Sequence, residues 1–105
     1  MSNEEKKQYL SKYRLLWARI RRLNEMLSSA GERSAPTLSR LEESRLLRDK
    51  IENEIDEVDG ALLSEILSQK YLCGKSIEEI SFALNYSKRQ IERLHITALE
   101  KFRVT

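Results

Sequence analysis

Two helix-capping motifs stand eleven residues apart in the last third of this sequence, and they leave little freedom to the local structure between them. Ser76 is followed three residues later by Glu79, and Ser87 is followed three residues later by Gln90. In such a capping box the serine hydroxyl accepts a hydrogen bond from the first helical turn, and the longer side chain reaches back to the serine amide. The spacing therefore predicts one short helix, a tight turn and a second helix.

Apolar residues recur at helical spacing on both sides of the predicted turn. The first helix carries Ile77, Ile80 and Leu84. One stripe of the second carries Ile91, Leu94, Ala98 and Phe102, with Leu99 on its edge, whereas Arg89, Arg93, Ile96 and Glu100 fall on the opposite face. Asn85 stands at the break, and asparagine is among the few non-glycine residues that enter left-handed backbone conformations. One face of the second helix is expected to pack, and the other to be presented.

Two helices joined by a short turn are typical of the helix-turn-helix, whose second helix lies in the DNA major groove. In that arrangement Lys88, Arg89 and Arg93 would face DNA, and the two arginines are the best candidates for reading bases. Lys88, Lys75 and the hydroxyls of Ser76 and Ser87 would contact phosphates. An ordinary helical hairpin with a solvated basic face has the same spacing, so the spacing alone does not decide between the two.

From Leu62 onward the sequence resembles the fourth conserved region of bacterial sigma factors, which binds the upstream promoter element. It is closer still to small phage transcriptional regulators of the ArpU/RinA kind, in which a sigma-like module follows a helical N-terminal segment. The resemblance covers about the last forty residues. It is carried by Tyr71, Gly74 to Ser76, Glu79, Ile80, Leu84, Tyr86, Ser87, Ala98 and Leu99.

By position, the resemblance implies that Lys88, Arg89 and Arg93 lie where sigma recognition helices touch bases, and that Ser87 lies where a cap or phosphate contact is found. Two positions depart from the family pattern, because Ser81 replaces the usual alanine and Asn85 the usual glycine. Both residues are small or tolerate a turn, so the fold is expected to persist. The base-contacting residues differ from those of a primary sigma factor, so the DNA sequence cannot be carried over.

The segment before this region predicts two longer helices. From about Asn3 to about Ser28, apolar residues alternate between spacings of four and three, which is a heptad seam, with Trp17 and Met26 on its flank. The seam consists of Tyr9, Tyr13, Leu16, Ile20, Leu23 and Leu27. Small and turn-forming residues from Ser28 to Thr37 include the only proline and predict a hairpin loop with a mobile tip. The second helix is expected from about Leu38 to Asp59, with Leu41, Leu47, Ile51, Ile55 and Val58 on its apolar side.

The first of these helices is basic and the second is acidic. The first carries Lys12, Arg14, Arg19, Arg21 and Arg22, with no acidic residue between Glu5 and Glu25. The second has eight acidic residues from Glu42 to Asp59. Ion pairs between the helices are the favoured interpretation, because such pairs set register and partner choice. The alternative is that the basic residues contact DNA phosphates or a polymerase surface.

The predicted fold is all-α, with an N-terminal antiparallel, coiled-coil-like hairpin in residues 1–60 and a three-helix helix-turn-helix module in residues 61–105. Gly60 is expected either to end the second long helix or to kink it into the module. A supporting helix is predicted from Ala61 to Leu72, with Gly74 ending it. Up to Gly60 twelve basic residues balance twelve acidic ones, so the excess of the formal charge of +2 lies in the module.

Little in the sequence suggests catalysis or a cofactor. There is one histidine, one cysteine and no glycine-rich phosphate loop, so His95 and Cys73 have no partner with which to share a metal. His95 is expected to be a partly buried, hydrogen-bonded residue of the packed helix, and Cys73 a small residue in a turn. Neither a signal peptide nor an apolar run of membrane-spanning length is present, so the expectation is a cytoplasmic protein that binds no membrane.

These observations predict a sequence-specific, DNA-binding transcription regulator of phage or prophage type that is not an enzyme. Its expected partner is double-stranded DNA, and its N-terminal hairpin would either form a homodimer or dock on RNA polymerase. One alternative is a phage DNA-packaging or assembly protein, such as a terminase small subunit, which also joins a helix-turn-helix to coiled-coil helices. Another is a helical adaptor that binds only protein. The DNA site and the direction of regulation are not encoded in any motif recognised in the sequence.

Overall fold

A computed structural model describes residues 1–29 and 35–105 of the chain, and every regular element in them is helical. The α-helices are α1 (Asn3–Ser29), α2 (Ala35–Asp56), α3 (Ala61–Leu67), α4 (Ile77–Leu84) and α5 (Lys88–Lys101). A short π-helix, Ser68–Leu72, continues α3. The predicted all-α class is confirmed. The predicted mobile tip of the first loop lies outside the described residues.

The two long helices pack against each other in antiparallel order. Tyr13 near the start of α1 donates a hydrogen bond to Glu52 near the end of α2 (2.7 Å). Farther along α1, the guanidinium of Arg48 lies 4.8 Å from the centre of the Trp17 ring. The seam predicted for α1 is confirmed at its buried members, which are Tyr13, Leu16, Ile20 and Leu23. Leu10, which the heptad pattern omitted, is fully buried as well.

The bounds of α2 differ from the prediction at both ends. The helix begins at Ala35 rather than near Leu38, because Pro36 is compatible with a first helical turn, where its missing N–H is not needed. It ends at Asp56 rather than at Asp59. Three acidic residues follow one another closely there, and negative charge is unfavourable at a helix C-terminus. Gly60, with φ +113, lies between α2 and α3, so the two are separate helices.

Tyrosines, rather than the predicted arginines, link the long helices through polar contacts. Within the described residues, none of the five basic side chains from Lys12 to Arg22 lies within 4.0 Å of a carboxylate. Glu54, which is only 3% exposed, instead accepts a hydrogen bond from Tyr9 and forms an ion pair with Lys50 (2.9 Å). The amide of Thr105 also donates to this carboxylate (2.6 Å). Interhelical ion pairing was therefore a wrong expectation for this part of α1.

The helix predicted from Ala61 to Leu72 changes its winding at Ser68. The amide of Cys73 donates to the Ser68 carbonyl (3.0 Å), five residues back, and the amide of Lys75 donates to Gln69, six residues back (3.0 Å). A bond to the fifth residue back defines a wider, π-helical turn, and the bond from Lys75 to Gln69 closes the end of it. Gly74 ends it with φ +73, a conformation in which a side chain would be strained. The predicted role of Gly74 as the helix-ending residue is confirmed.

The largest of the three buried apolar clusters in the described residues lies where the long helices meet the C-terminal part of the chain. It joins residues from both long helices to the π-helix and to the end of α5, and contains Leu10, Tyr13, Leu16, Ile51, Ile55, Val58, Leu67, Tyr71, Ala98, Leu99 and Phe102. The ammonium group of Lys6 in α1 also donates to the carbonyl of Leu99 (2.7 Å), where a positive charge is favoured at the end of α5. The long helices thus hold α5 in place. The predicted domain boundary at residue 60 stays a prediction.

Candidate nucleic-acid interface

The two capping boxes form as the sequence predicts. The amide of Glu79 donates to the Ser76 hydroxyl (3.1 Å), and the Ser76 amide donates to the Glu79 carboxylate (3.1 Å). At the start of α5 the corresponding distances are 3.1 Å from the Gln90 amide to the Ser87 hydroxyl and 2.9 Å in return. The hydrogen bond from the Ser76 amide lowers the pKa of the Glu79 carboxyl, and the Ser76 hydroxyl lowers it further. Each box fixes the first turn of its helix.

Asn85 forms the turn between α4 and α5. Its backbone is left-handed (φ 60, ψ 42), and within the described residues it is the only non-glycine residue with a positive φ. The amide of Tyr86 donates to the Ser81 carbonyl (3.0 Å), which ties the turn to the last turn of α4. Since Ser87 already caps the next helix, only Asn85 and Tyr86 separate the end of one helix from the cap of the other. The tight turn is confirmed.

The inner face of α5 is buried against two neighbours. Ile91 packs with Ile66 of α3 and Ile80 of α4 in a small apolar cluster. One turn later, His95 Nε2 and the hydroxyl of Tyr71 lie 2.8 Å apart and share a hydrogen bond. His95 is 7% exposed, so the predicted buried, satisfied histidine is confirmed.

Burial sets the protonation of this His95–Tyr71 pair. It lowers the pKa of His95 to about 4, helped by the positive charges of Lys70 and Lys7. It also raises the pKa of Tyr71 to about 12, with a smaller contribution from the charge of Glu4. Both side chains are therefore neutral at physiological pH. A neutral, buried pair of this kind fixes the rotation of α5 about its axis.

The outer face of α5 presents the three residues predicted to contact bases. Lys88, Arg89 and Arg93 are all exposed in its first two turns. Arg89 and Arg93 are four residues apart, so they lie on one face, and within the described part of the chain neither is within 4.0 Å of a carboxylate. Lys88 makes a loose, exposed contact with Glu78 (3.5 Å), and such a surface pair contributes little energy.

The residues predicted to contact phosphates lie at the starts of the two helices. Lys75 is half-buried and directly precedes the Ser76 cap, and Ser87 caps α5 beside Lys88. Each serine oxygen accepts a hydrogen bond from a backbone amide, Ser76 from Glu79 and Ser87 from Gln90. The start of a helix also carries partial positive charge and unpaired amides. All six predicted site residues thus lie along the N-terminal ends of α4 and α5 and the outer face of α5.

Two neighbouring residues lie outside the six predicted site residues, although the alternative interpretation of α1 already placed Arg14 among possible phosphate contacts. Arg14 of α1 lies against Gly74, so close that a Cβ at Gly74 would be 2.3 Å from Arg14 Nη1. Phe82 of α4 is 91% exposed and lies beside Lys75, Glu78, Glu79 and Ala83 in a shallow depression. The exposure of Phe82 could have been found from helical spacing, since it falls outside the stripe of Ile77, Ile80 and Leu84. The contact of Arg14 could not, because it joins residues sixty positions apart.

The described residues contain neither a cluster of metal-ligand side chains nor a membrane-spanning helix. No three histidine, cysteine, aspartate or glutamate side chains within residues 1–29 and 35–105 come together in a way that would hold a metal ion. No helix in those ranges has both the length and the apolar character to cross a membrane. Cys73 is exposed and unbridged. No family model, curated protein or solved structure matches the chain.

Proposed function

We propose that this protein is a sequence-specific, double-stranded DNA-binding transcription regulator that places α5 in the major groove. The observation that carries the proposal is the pair Arg89 and Arg93 on the outer face of α5, exposed and without a carboxylate partner in the described residues. A helix of 14 residues that follows a tight turn and is buried on one face suits the groove. The resemblance to sigma region four and to the ArpU/RinA kind of regulator supports the same assignment.

In this proposal each predicted residue has a distinct part. Arg89 and Arg93 read base edges, since arginine to guanine is the commonest specific contact and a good bidentate pair gives about 1–3 kcal/mol of discrimination. Lys88 takes part at the groove edge, and Lys75 with the two capping serines holds phosphates, which positions the protein without reading sequence. The fixed rotation of α5, through His95 and Tyr71, aims the arginines. No step of this function requires a cofactor or a catalytic residue.

The test is selection of bound duplexes from a random pool at two salt concentrations, with wild type, Arg89→Ala, Arg93→Ala and Arg40→Ala compared. Arg40 is an exposed residue of α2, so its variant removes the same charge far from α5. We expect wild type and Arg40→Ala to enrich one motif, and each α5 variant to relax that motif at a different position. Salt-sensitive binding without any motif would favour the packaging role instead.

Phe82 favours a second candidate function, that of a helical adaptor that contacts another protein. An exposed phenylalanine flanked by Glu78 and Glu79 is typical of an apolar contact that a partner covers, and RNA polymerase is the partner suggested by the resemblance. The two functions predict opposite results for two variants. In an adaptor, Phe82→Ser abolishes partner binding and Arg93→Ala leaves it unchanged; in a DNA-binding regulator, Arg93→Ala alters DNA selection and Phe82→Ser does not.

A further inference from the structure

The flank of α1 that carries Arg14 lies beside the start of α4. The guanidinium of Arg14 occupies the space next to Gly74, and a Cβ there would be 2.8 Å from Arg14 Cζ. Gly74 is followed directly by Lys75 and by the Ser76 cap of α4. The contact therefore brings a basic residue of the N-terminal segment to the edge of the candidate interface.

Three cations gather at this point. Arg14, Lys70 and Lys75 line one depression together with Ser11, Tyr71 and Gly74. No carboxylate in the described residues lies within 4.0 Å of any of these three cationic groups. The charge of Lys70 is also felt by His95, whose pKa it helps to lower. A cluster of like charges without carboxylate partners opposes folding slightly, and an anionic partner would offset that cost.

The positive charge continues along α1 beyond this depression. Arg21 follows Arg14 by seven residues, two helical turns, so both lie on one flank about 10 Å apart. They line a second depression together with Trp17, Ala18 and Leu72. Trp17 is held in place by the ring contact with Arg48. The basic row thus leads from Lys75 at the start of α4, past Arg14, to Arg21.

We infer that Arg14 and Arg21, with Lys70 and Lys75, bind the phosphates of the duplex next to the site read by α5. The inference rests on the proposed function, in which the first helix of the α4–α5 pair crosses the DNA backbone. Successive charges of one strand are about 3.4 Å apart along the helix axis. Arg14 and Arg21, about 10 Å apart along α1, can therefore each contact a different phosphate. These cations have no carboxylate partner in the described residues, and the row begins at the end of α4 that would meet the DNA backbone, so it matches the charge of a DNA strand.

The chain offers a matched control for this inference. Lys12 and Arg19 are also seven residues apart on α1, also exposed and also unpaired in the described structure, but they lie on the other flank of the helix. A double variant with Arg14→Gln and Arg21→Gln therefore has the same charge as one with Lys12→Gln and Arg19→Gln. Any difference between them reports position rather than net charge.

The experiment measures the dissociation constant for the selected duplex by fluorescence anisotropy from low to moderate salt. Each lost phosphate contact lowers the slope of log affinity against log salt by about 0.9, so the Arg14/Arg21 variant should lose about 1.8 and the Lys12/Arg19 variant nothing. The hydroxyl-radical footprint should recede at one edge in the Arg14/Arg21 variant. The selected motif should stay unchanged in both variants. Because Arg14 packs on Gly74, Arg21→Gln alone provides a fold-neutral check with an expected loss of about 0.9.

Three other outcomes would count against either the phosphate-binding inference or the proposed function. Equal slopes in wild type and the Arg14/Arg21 variant, with a motif still enriched, would overturn the inference and leave the proposed function standing. Equal losses in both double variants would overturn it too, because they would show a general charge effect. In a third outcome the wild type enriches no motif, and salt-dependent binding is lost in the Arg14/Arg21 variant but kept in the Lys12/Arg19 variant. The phosphate contacts would then stand and sequence-specific regulation would fall.

Discussion

The helix pairs α4–α5 and α1–α2 are determined by different kinds of contact. The caps and the turn of α4–α5 are local, since each capping box joins residues three apart and the turn at Asn85 is closed by a hydrogen bond from Tyr86 to Ser81. The pair α1–α2 depends on contacts across long stretches of chain, such as Tyr9 to Glu54 and Glu54 to Thr105. Local contacts are suited to α4–α5, whose outer face presents exposed side chains. Long-range contacts are suited to α1–α2, which supports α5.

The largest expected effect tests whether these two regions are energetically separate. Phe102 ends α5, is fully buried and packs against Tyr9 of α1, with 6.1 Å between ring centres. We expect Phe102→Ala to lower the free energy of unfolding by about 3–5 kcal/mol, the cost of a large buried cavity. Because Phe102 belongs to the cluster that joins both long helices to α5, the long helices and α5 should be destabilised together. Urea unfolding would be followed by circular dichroism and by the fluorescence of Trp17.

Trp17 is the only tryptophan and lies in α1, so its fluorescence reports the long helices alone. Coincident midpoints by both signals, shifted equally in Phe102→Ala, would show a single cooperative unit. Leu46→Ala is the control, since Leu46 is 60% exposed and its loss should change little. An unshifted Trp17 midpoint in Phe102→Ala would show that the two regions unfold independently.

The next effect should fall on the long-range contacts of α2. Burial alone would raise the pKa of the Glu54 carboxyl, but hydrogen bonds from Tyr9, Lys50 and Thr105 outweigh it and hold the pKa below its usual value. Glu54→Ala leaves these donors without an acceptor, so we expect a loss of about 2–3 kcal/mol. Glu54→Gln keeps the shape and should lose less. Thermal unfolding of both variants would separate the contribution of the Glu54 charge from that of its hydrogen bonds. Equal stability of Glu54→Ala and wild type would refute this account.

This contrast also explains what the sequence could predict. The capping boxes, the Asn85 turn, the exposed Arg89 and the helix-ending Gly74 were predictable because each depends on residues within a few positions. The burial of Glu54 was not, because two of its three donors stand 45 and 51 residues away and a glutamate in an acidic helix looks solvated. The prediction of ion pairs between α1 and α2 was wrong for the same reason, because complementary charge composition does not determine which side chains meet.

Acid should act on the contact that orients α5. His95 has a pKa of about 4 in the folded protein against about 6.5 when unfolded, so the unfolded state binds more protons between these values. Stability is complete above about pH 6.5 and falls as the pH is lowered toward 4. Between pH 7 and pH 5 we expect a loss of roughly 2 kcal/mol, by urea unfolding at each pH.

His95→Gln is the control for this pH dependence, because glutamine does not titrate. Its stability should be lower than that of wild type at pH 7 but nearly constant down to pH 5. Glu54 does not confuse the measurement, since its depressed pKa places its own loss below that range. A wild-type protein that is equally stable at pH 7 and pH 5 would show that Lys70, Lys7 and burial do not keep His95 neutral.

The smallest expected change in stability gives the sharpest test of the local specification of α5. Ser87→Ala removes the cap and should cost about 1 kcal/mol, whereas Ser87→Asp keeps a capping oxygen and adds a negative charge favoured at a helix start, so its stability should match wild type. In the proposed function the order of DNA affinity differs, because the aspartate would face a phosphate: wild type binds best, Ser87→Ala less well and Ser87→Asp least. Thermal unfolding and anisotropy on the same three proteins give both orders. If Ser87→Asp bound DNA as tightly as wild type, the start of α5 would not lie against the DNA backbone, and capping would be the whole role of Ser87.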